Sequence, residues 1–404
     1  MKNSAYRSIP LPGQVNRRDF LKIGGAVGAG LVLGRPKLRA QEKKTPVRIA
    51  TNIQDALNIP KTDRSLPGRF PGQVAKISDT RVAAGNGFDA SVVRDMFTRG
   101  LRLLTGKNPR KSFRLLFDRD DVIGIKVNPV GPGLISTRPE LVEAVIGWLL
   151  DNGMERSHII IWDRFDYMLR DAGFTPERFP GIGIAGLQTM DEAAASGQSQ
   201  DNSRWLDKDG NHVSTANFDQ SVFYWADVEG PKDAAYLNQH VVNGKYSYFG
   251  SLLTKKLTKI INLPVFKNTG NGISMATKNI GYAAICNTGR LHKPLFFDVC
   301  TEVLAFPVIR DKLVLNVTDG LRGQYDGGPE PAASFIYPLN SLFLATDPFA
   351  LDAVCHRLLV EKRKSMGVKL NEHPVYSEYL RYAEKLGLGV VDPARVAHRQ
   401  LTLS

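Results

Sequence analysis

Cysteine is scarce in this sequence. Its 404 residues include three cysteines, Cys286, Cys300 and Cys355, and no two of them stand in a C-x-x-C spacing. The count excludes a disulfide scaffold, and the spacing argues against a zinc ribbon and a ferredoxin-type iron–sulfur module. Because three thiols leave at least one unpaired, we predict no essential disulfide.

The sequence also lacks the short motifs of several enzyme classes. It has no G-x-x-x-x-G-K-[ST] phosphate loop, no H-E-x-x-H zinc helix and no G-x-S-x-G nucleophile elbow. Its seven histidines are scattered along the chain. These absences argue against a P-loop nucleotide hydrolase, a zinc-helix protease and a serine hydrolase of the elbow type.

Acidic residues are fewer than basic ones, but the imbalance is concentrated at the N-terminus. The chain holds 53 Lys and Arg against 40 Asp and Glu, a net charge of +13. Residues 1–40 contain eight of the basic residues and one acid, which leaves a net charge of +6 on the other 364 residues. Those residues show only short basic clusters, so we predict no nucleic-acid partner.

The N-terminus carries a pattern typical of an export signal. Residues 16–22 (NRRDFLK) resemble the twin-arginine translocation motif, in which an arginine pair, here Arg17 and Arg18, precedes Phe and Leu. A weakly apolar run follows at 23–33, and its 11 residues are too few to span a bilayer. We predict cleavage after Ala40.

The chain therefore divides into a signal peptide at 1–40 and an α/β domain at 41–404, with an insertion at about 190–245. The signal predicts that the twin-arginine translocation machinery exports the protein to the periplasm or the extracellular space. An uncleaved signal that anchors the protein to the membrane stays open as an alternative. No long apolar run follows the signal, so we predict no transmembrane segment in the mature chain.

The mature chain predicts an α/β fold, with a mostly parallel sheet, flanking helices and a polar surface insertion. The clearest unit is a strand at 121–128, a helix and a strand at 157–162. We expect Thr137 to cap the helix in a capping box with Glu140, and Gly153 to end it. A strand, a helix and a strand in some 40 residues predict parallel pairing with a right-handed crossover.

Further elements follow from the same patterns. The frequency of Pro, Gly and Arg predicts a loop at 58–86. Several predicted strands end in polar residues and Gly-containing turns, and the carboxyl ends of parallel strands form one edge of a sheet, where ligands bind. The other predicted elements are strands at 47–50, 258–266, 312–318 and 341–345 and helices at about 89–105, 273–285, 347–363 and 376–386.

Three lysines, Lys126, Lys267 and Lys278, lie in or beside apolar segments. Burial of a lysine is costly unless its charge is balanced. Each of them could form a structural ion pair, meet an anionic ligand, or lose its proton and act as a base. The carboxylates that could pair with them, or hold a hard metal ion, are Asp163, Asp319, Asp326 and Asp347.

Several short segments at these strand ends resemble one family when they are taken together. They are residues 124–128 (GIKVN), 136–139 (STRP), 262–267 (NLPVFK), 277–281 (TKNIG), 318–320 (TDG), 327–329 (GGP) and 347–352 (DPFALD). With them the sequence resembles, over nearly all of the mature chain, the family of domain of unknown function 362 in its form with a twin-arginine signal. It departs from that pattern at Thr269, where a His often stands.

This resemblance implies an α/β fold and a site built from the matching segments. It implies no established reaction. Some relatives carry an added ferredoxin-like domain, which the cysteine count excludes here.

Two functions fit these observations. The first is an exported enzyme that binds an anionic small molecule at the carboxyl ends of the strands, with Lys126, Lys267, Lys278 and Asp319 as catalytic residues. The predicted ligand-binding residues are Asn128, Asp163, Arg164, Asn279 and Arg322. The cofactor stays open, with a divalent metal on Asp319 and Asp347 as the candidate. The alternative is a non-catalytic periplasmic binding protein for an anion or a carbohydrate, with the polar insertion as its closing flap.

Overall fold

The computed structural model describes residues 49–85, 87–188, 217–228, 245–292, 295–370 and 376–403. The predicted signal peptide and most of the predicted insertion lie outside these ranges. None of the helices in the described ranges has the length and hydropathy of a membrane-spanning segment.

A ten-stranded sheet is the centre of the described structure. The strands, in chain order, are β1 (Gln73–Asp79), β2 (Ala83–Ala84), β3 (Gly87–Phe88), β4 (Ile123–Val127), β5 (Ile159–Phe165), β6 (Gly183–Gln188), β7 (Phe218–Trp225), β8 (Tyr246–Gly250), β9 (Lys259–Leu263), β10 (Val265–Thr269), β11 (Gly272–Ile273), β12 (Leu313–Gln324), β13 (Ile336–Ala345) and β14 (Ala397–Leu403). The sheet order is β14-β1-β13-β12-β9-β4-β5-β6, with β10 paired to β12 and β11 paired to β10.

All neighbours from β12 to β6 are parallel, which confirms the predicted α/β fold with a mostly parallel sheet. Strand β13 is antiparallel to both β12 and β1, and β14 is parallel to β1. Strands β7 and β8 form a separate antiparallel ribbon.

Helices cover both faces of the sheet. Ile159 and Ile161 of β5 pack in one hydrophobic core, and Ile160 and Trp162 pack in another. Because successive strand residues point to opposite faces, a strand covered on both sides is apolar at nearly every position. The helices are α1 (Ile53–Leu57), α2 (Ala90–Thr105), α3 (Pro109–Leu116), α4 (Pro139–Asp151), α5 (Asp166–Asp171), α6 (Ala276–Gly281), α7 (Asp298–Ala305), α8 (Pro307–Arg310), α9 (Pro348–Ser365) and α10 (Glu378–Lys385).

The predicted βαβ unit is β4, α4 and β5, but its helix is not capped as predicted. Pro139 is in the first turn and Gly153 follows the end with φ +86°, as expected. The N-cap is Arg138, which makes no side-chain capping bond. Thr137 Oγ1 instead donates to the carbonyl of Leu263 at 2.7 Å, so its hydroxyl is used to tie the helix entry to β9.

Three other elements differ from the prediction. Strand β1 lies within residues 58–86, which were expected to form a loop. The strand expected at 258–266 is divided into β9 and β10 at Pro264, since proline has no N–H for the ladder. The helix expected at 273–285 is confined to α6.

The direction of β13 decides the position of Asp347. Asn316 of β12 pairs with Ala345 at the end of β13, and Asp319 pairs with Leu342. The end of β13 therefore lies at the edge where the parallel strands begin. Asp347, two residues further on, is at the edge opposite to the residues that follow β4 and β5, so the expectation that it shares their site is wrong.

Candidate functional site

Lys126 is the centre of a buried polar network at the carboxyl end of β4. Its side chain is in an apolar strand and only 1% exposed. The ammonium lies 2.5 Å from Asp163 Oδ1 of β5, and it donates to Asn279 Oδ1 at 3.0 Å and to the carbonyl of Val127 at 2.5 Å. Burial lowers the pKa of Lys126, and the adjacent Asp163 carboxylate opposes that shift.

Asparagine side chains extend this network across three strands. Asn279 Nδ2 donates to Asn262 Oδ1 at 2.8 Å, and Asn262 Nδ2 donates to Asn316 Oδ1 at 2.9 Å. Asn262 is in β9 and Asn316 in β12, and both are fully buried. Neither residue was among the site residues predicted from the sequence. An asparagine inside an apolar strand was the signal, because a buried amide needs internal partners.

Lys267 is the second buried lysine of the site and lies in the middle of β10. It is 1% exposed, and its ammonium lies 3.2 Å from Asn128 Oδ1. Burial lowers the pKa of Lys267 to about 7, and the nearby positive charges of Lys278 and Lys126 act in the same direction. At neutral pH this amine is therefore divided between its charged and neutral forms.

Lys278 comes from the short helix α6 and is half-buried. Its ammonium lies 5.0 Å from the ring centre of Tyr282 and 5.4 Å from that of Phe296. It makes no hydrogen bond or ion pair with the residues that the structure describes. Burial lowers the pKa of Lys278. The helix start is held by Asp352 of α9, which accepts from the amides of Ala276 at 2.8 Å and Thr277 at 3.0 Å.

Glu330 also belongs to this region, although it was not predicted from the sequence. It is half-buried and follows the Gly327-Gly328-Pro329 turn, one of the segments that carry the family resemblance. Burial raises the pKa of Glu330, and the charges of Lys267 and Lys278 act in the opposite direction. The carboxylate and the two lysines therefore influence one another through their charges.

Asp319 is fully buried in β12, where backbone amides bind both of its oxygens. Its Oδ2 accepts from Arg138 N at 2.7 Å, and Oδ1 accepts from Leu321 N at 3.1 Å. Burial raises the pKa of Asp319 to about 6. The guanidinium groups of Arg138 and Arg322 lie 5.3 Å and 5.5 Å from the ring centre of Phe88. Asp319 thus holds the start of α4 beside this pair of arginines.

Arg164 connects the end of β5 to the segment after α6. Its Nη1 donates to Thr288 Oγ1 at 2.6 Å and to the carbonyls of Ile285 at 3.1 Å and Tyr282 at 3.3 Å. Burial lowers the pKa of Arg164. Arg164, next to Asp163, therefore has a structural role, because its bonds hold the end of β5 against the segment after α6.

Asp347 is fully buried, and four backbone amides bind its carboxylate. It accepts from Phe349 and Ala350 at the start of α9, and from Gly72 and Val390. It lies at the opposite edge of the sheet from the lysines, so the expected metal pair of Asp319 and Asp347 does not form. The described residues contain no group of three or more His, Cys, Asp or Glu arranged to hold a metal ion.

Two surface clefts among the described residues are away from the lysines. One of about 380 Å³ is lined by residues of α2, α3 and α4, among them Arg94, Arg110 and Trp148. A smaller one of about 120 Å³ includes Lys259 and Leu313 at the start of β9 and β12. Because Lys126 and Lys267 are covered, the half-buried residues Lys278 and Glu330 are the exposed side of the site.

Fold and site together define an α/β protein with a buried cluster of lysines and asparagines at one edge of a mostly parallel sheet. Residues 235–357 match the family model described as domain of unknown function (DUF362), and residues 14–34 match the twin-arginine translocation pathway signal sequence. Residues 235–357 are thus similar to the DUF362 domain, and the N-terminal signal directs export through the twin-arginine machinery to the periplasm or beyond. Comparison with curated proteins and with solved structures gives no match.

The matched DUF362 residues include Lys267, Lys278 and Asp319, and the three asparagines of the network. Lys126, Asn128 and Asp163 precede the matched range. The three cysteines are buried and free.

Proposed function

We propose that this exported protein binds an anionic small molecule between Lys267 and Lys278 and acts on it as an enzyme. One observation carries the proposal. The two ammonium groups lie at the carboxyl edge of the sheet, and no described carboxylate is within 4.0 Å of either. Buried cations without a bonded counter-ion are destabilising, and an anionic ligand would offset that cost.

Each residue of the site would have a role that follows from its contacts. Lys126 is already paired with Asp163, so it fixes the geometry and contributes little free charge. Lys278, on the exposed side, is the cation that first meets the ligand. Asn128 orients the ammonium of Lys267 through its Oδ1. Asp319, bound by two amides, positions Arg138 and the start of α4.

Lys267 is the residue suited to proton transfer. With a pKa of about 7, its amine can accept a proton from the ligand and return it at neutral pH. Lys267 is only 1% exposed, and charges interact more strongly in such poorly solvated surroundings. No step of this proposal requires a metal ion.

The experiment compares Lys267→Met and Lys278→Met with Lys259→Met, a buried lysine at the start of β9 and away from the site. Binding of sulfate and methanesulfonate to the exported protein is measured by calorimetry, and folding by thermal unfolding. We expect the two site variants to lose at least about tenfold in affinity, equivalent to about 1.4 kcal/mol, while the control binds as the wild type does. Unchanged affinity in folded Lys267→Met and Lys278→Met would reject the proposal.

A non-catalytic binding protein is the second candidate. The observation in its favour is the aromatic wall of Tyr282 and Phe296 beside Lys278, since ligand pockets use such rings for packing. Native mass spectrometry of the exported protein identifies a co-purified ligand. If prolonged incubation returns that ligand unchanged, the binding function is favoured over the enzyme.

A further inference from the structure

Arg363 lies near the end of α9, and its guanidinium binds two turns at once. The side chain is only 3% exposed. Its Nη2 donates to Asn271 Oδ1 at 2.9 Å, in the turn between β10 and β11. Its Nη1 donates to Asp326 Oδ1 at 2.7 Å and to the carbonyl of Tyr325 at 2.9 Å, directly after β12. One guanidinium therefore joins a helix to the turns that follow two neighbouring strands.

The two turns also bind each other beside Lys267. Gly328 N donates to Asn268 Oδ1 at 2.9 Å, and Gly270 N donates to the carbonyl of Gly328 at 3.4 Å. A Cβ at Gly328 would lie 2.2 Å from the carbonyl oxygen of Asn268, so only glycine permits this approach. Asn268 directly follows Lys267, and Lys267 pairs with Gln324 at the end of β12. The turns therefore fix the backbone next to Lys267 on its own strand and on the partner strand.

Helix α9 also holds the segment that carries Lys278. Asp352 accepts two backbone amides at the start of α6. Arg363 follows Asp352 by 11 residues, which is about three helical turns, so the two side chains lie on one face of α9. Through that face, α9 contacts both α6, which carries Lys278, and the turn after β10, which carries Lys267.

The charge of Arg363 is balanced locally, by Asp326 at 2.7 Å. The charged groups with the largest effects on the pKa of Lys267 come from other elements, namely Lys126 of β4, Asp163 of β5, Lys278 of α6 and Glu330 after β12. Burial has a larger effect on this pKa than any of these charges. A change that hydrates Lys267 would therefore raise its pKa, even with every neighbouring charge in place.

We propose that Arg363 is a positioning residue for Lys267, because it locks the two turns together and so keeps water from the lysine ammonium. The inference rests on the proposed function, in which Lys267 transfers the proton. Arg363→Lys keeps the positive charge but removes the planar fork of donors that reaches both turns. Without the fork, the turns should loosen and Lys267 should become hydrated.

Carbon-13 NMR of the exported protein, labelled at the lysine ε-carbons, measures the pKa of Lys267, and Lys267→Met assigns its signal. We expect a pKa of about 7 in the wild type and of about 8 or higher in Arg363→Lys. Asp326→Asn weakens one arm of the fork and should raise the pKa in the same direction by a smaller amount. The matched control is Arg395→Lys, which changes an exposed arginine 3.3 Å from Glu384 and should leave the pKa of Lys267 at the wild-type value.

Thermal unfolding of each variant separates this effect from a loss of folding. If Arg363→Lys does not fold, Asp326→Asn provides the test. A folded variant in which the pKa of Lys267 equals that of the wild type would overturn the inference, and so would an ordinary pKa of Lys267 in the wild type. Sulfate binding by the wild type tests the proposed function separately. If the pKa rises as expected but the wild type binds no sulfate, the proposed function fails while the positioning role of Arg363 stands.

Discussion

The ammonium of Lys126 lies 2.5 Å from the carboxylate of Asp163, and this ion pair links β4 to β5 inside the protein. Both side chains are over nine-tenths buried. The bond explains how a lysine is tolerated in an otherwise apolar strand. The same pair fixes one side of the lysine cluster.

Removal of one partner of this pair should destabilise the protein strongly. Asp163→Asn leaves Lys126 buried without its counter-ion, and we expect a loss of about 3–5 kcal/mol in the free energy of unfolding. The double variant Lys126→Met with Asp163→Asn should recover most of that loss. Urea denaturation measures both.

The matched control is Asp151→Asn, which breaks the exposed pair of Arg94 and Asp151. It should cost less than about 1 kcal/mol. If Asp163→Asn were no more destabilising than this control, the buried pair would not have the role described above.

Lys267 should give the stability a distinct dependence on pH. Its pKa is about 7 in the folded protein and 10.5 as the ordinary value. Between these values the unfolded chain binds more protons at Lys267, so its contribution to the free energy of unfolding rises with pH. Lys267→Met lacks this rise. Its stability relative to the wild type should therefore be highest below pH 7 and decline as the pH approaches 10.

Denaturation with urea at several pH values tests this expectation. Lys107→Met, at an exposed position, should keep a constant difference from the wild type over the same range. A constant difference for Lys267→Met as well would show that Lys267 titrates alike in the folded and unfolded states.

Asp347 should matter for stability and not for ligand binding. Its carboxylate accepts four amide hydrogen bonds, two of them at the start of α9. Asp347→Asn replaces one acceptor oxygen with a donor group, and we expect a loss of about 1–3 kcal/mol in the free energy of unfolding. Sulfate affinity should be unchanged. Elemental analysis would contradict this assignment if a bound divalent metal disappeared in the variant.

The arginine pair of the signal should be required for export. Residues 14–34 match the twin-arginine signal sequence, and a receptor of the export machinery recognises such a signal. Replacement of Arg17 and Arg18 by lysine should retain the protein in the cytoplasm, as cell fractionation can measure. Replacement of Arg35, a basic residue outside the matched range, is the control and should leave export intact. Normal export of the double lysine variant would be evidence against the twin-arginine route.

Local sequence patterns were sufficient to predict part of the fold. The apolar runs at β4 and β5, with Pro139 and Gly153 at the ends of α4, predict a βαβ unit, and the structure contains it. The capping prediction failed at Thr137, because its hydroxyl binds a carbonyl of β9 that is 126 positions away in the chain. A capping motif cannot reveal such a competing partner.

The candidate site, too, was only partly predictable from local sequence patterns. An isolated lysine in an apolar strand identified Lys126 and Lys267 as unusual from the sequence alone. The other residues of the site were harder to find. Asn262 and Asn316 are marked only as asparagines inside apolar strands, and Glu330 has no local pattern that marks it. Their roles depend on which strands become neighbours.

The sequence by itself determined the export signal, the α/β class and the burial of charged side chains in apolar strands. These properties depend on residue order within short windows, where hydrophobic periodicity and turn residues act directly. Only the tertiary structure decided that β13 runs antiparallel, which moves Asp347 to the far edge, and that the turn before Glu330 is bonded to Asn268, next to Lys267. Strand direction and the charge balance of buried side chains depend on contacts between segments that are far apart in the chain. No single segment determines them.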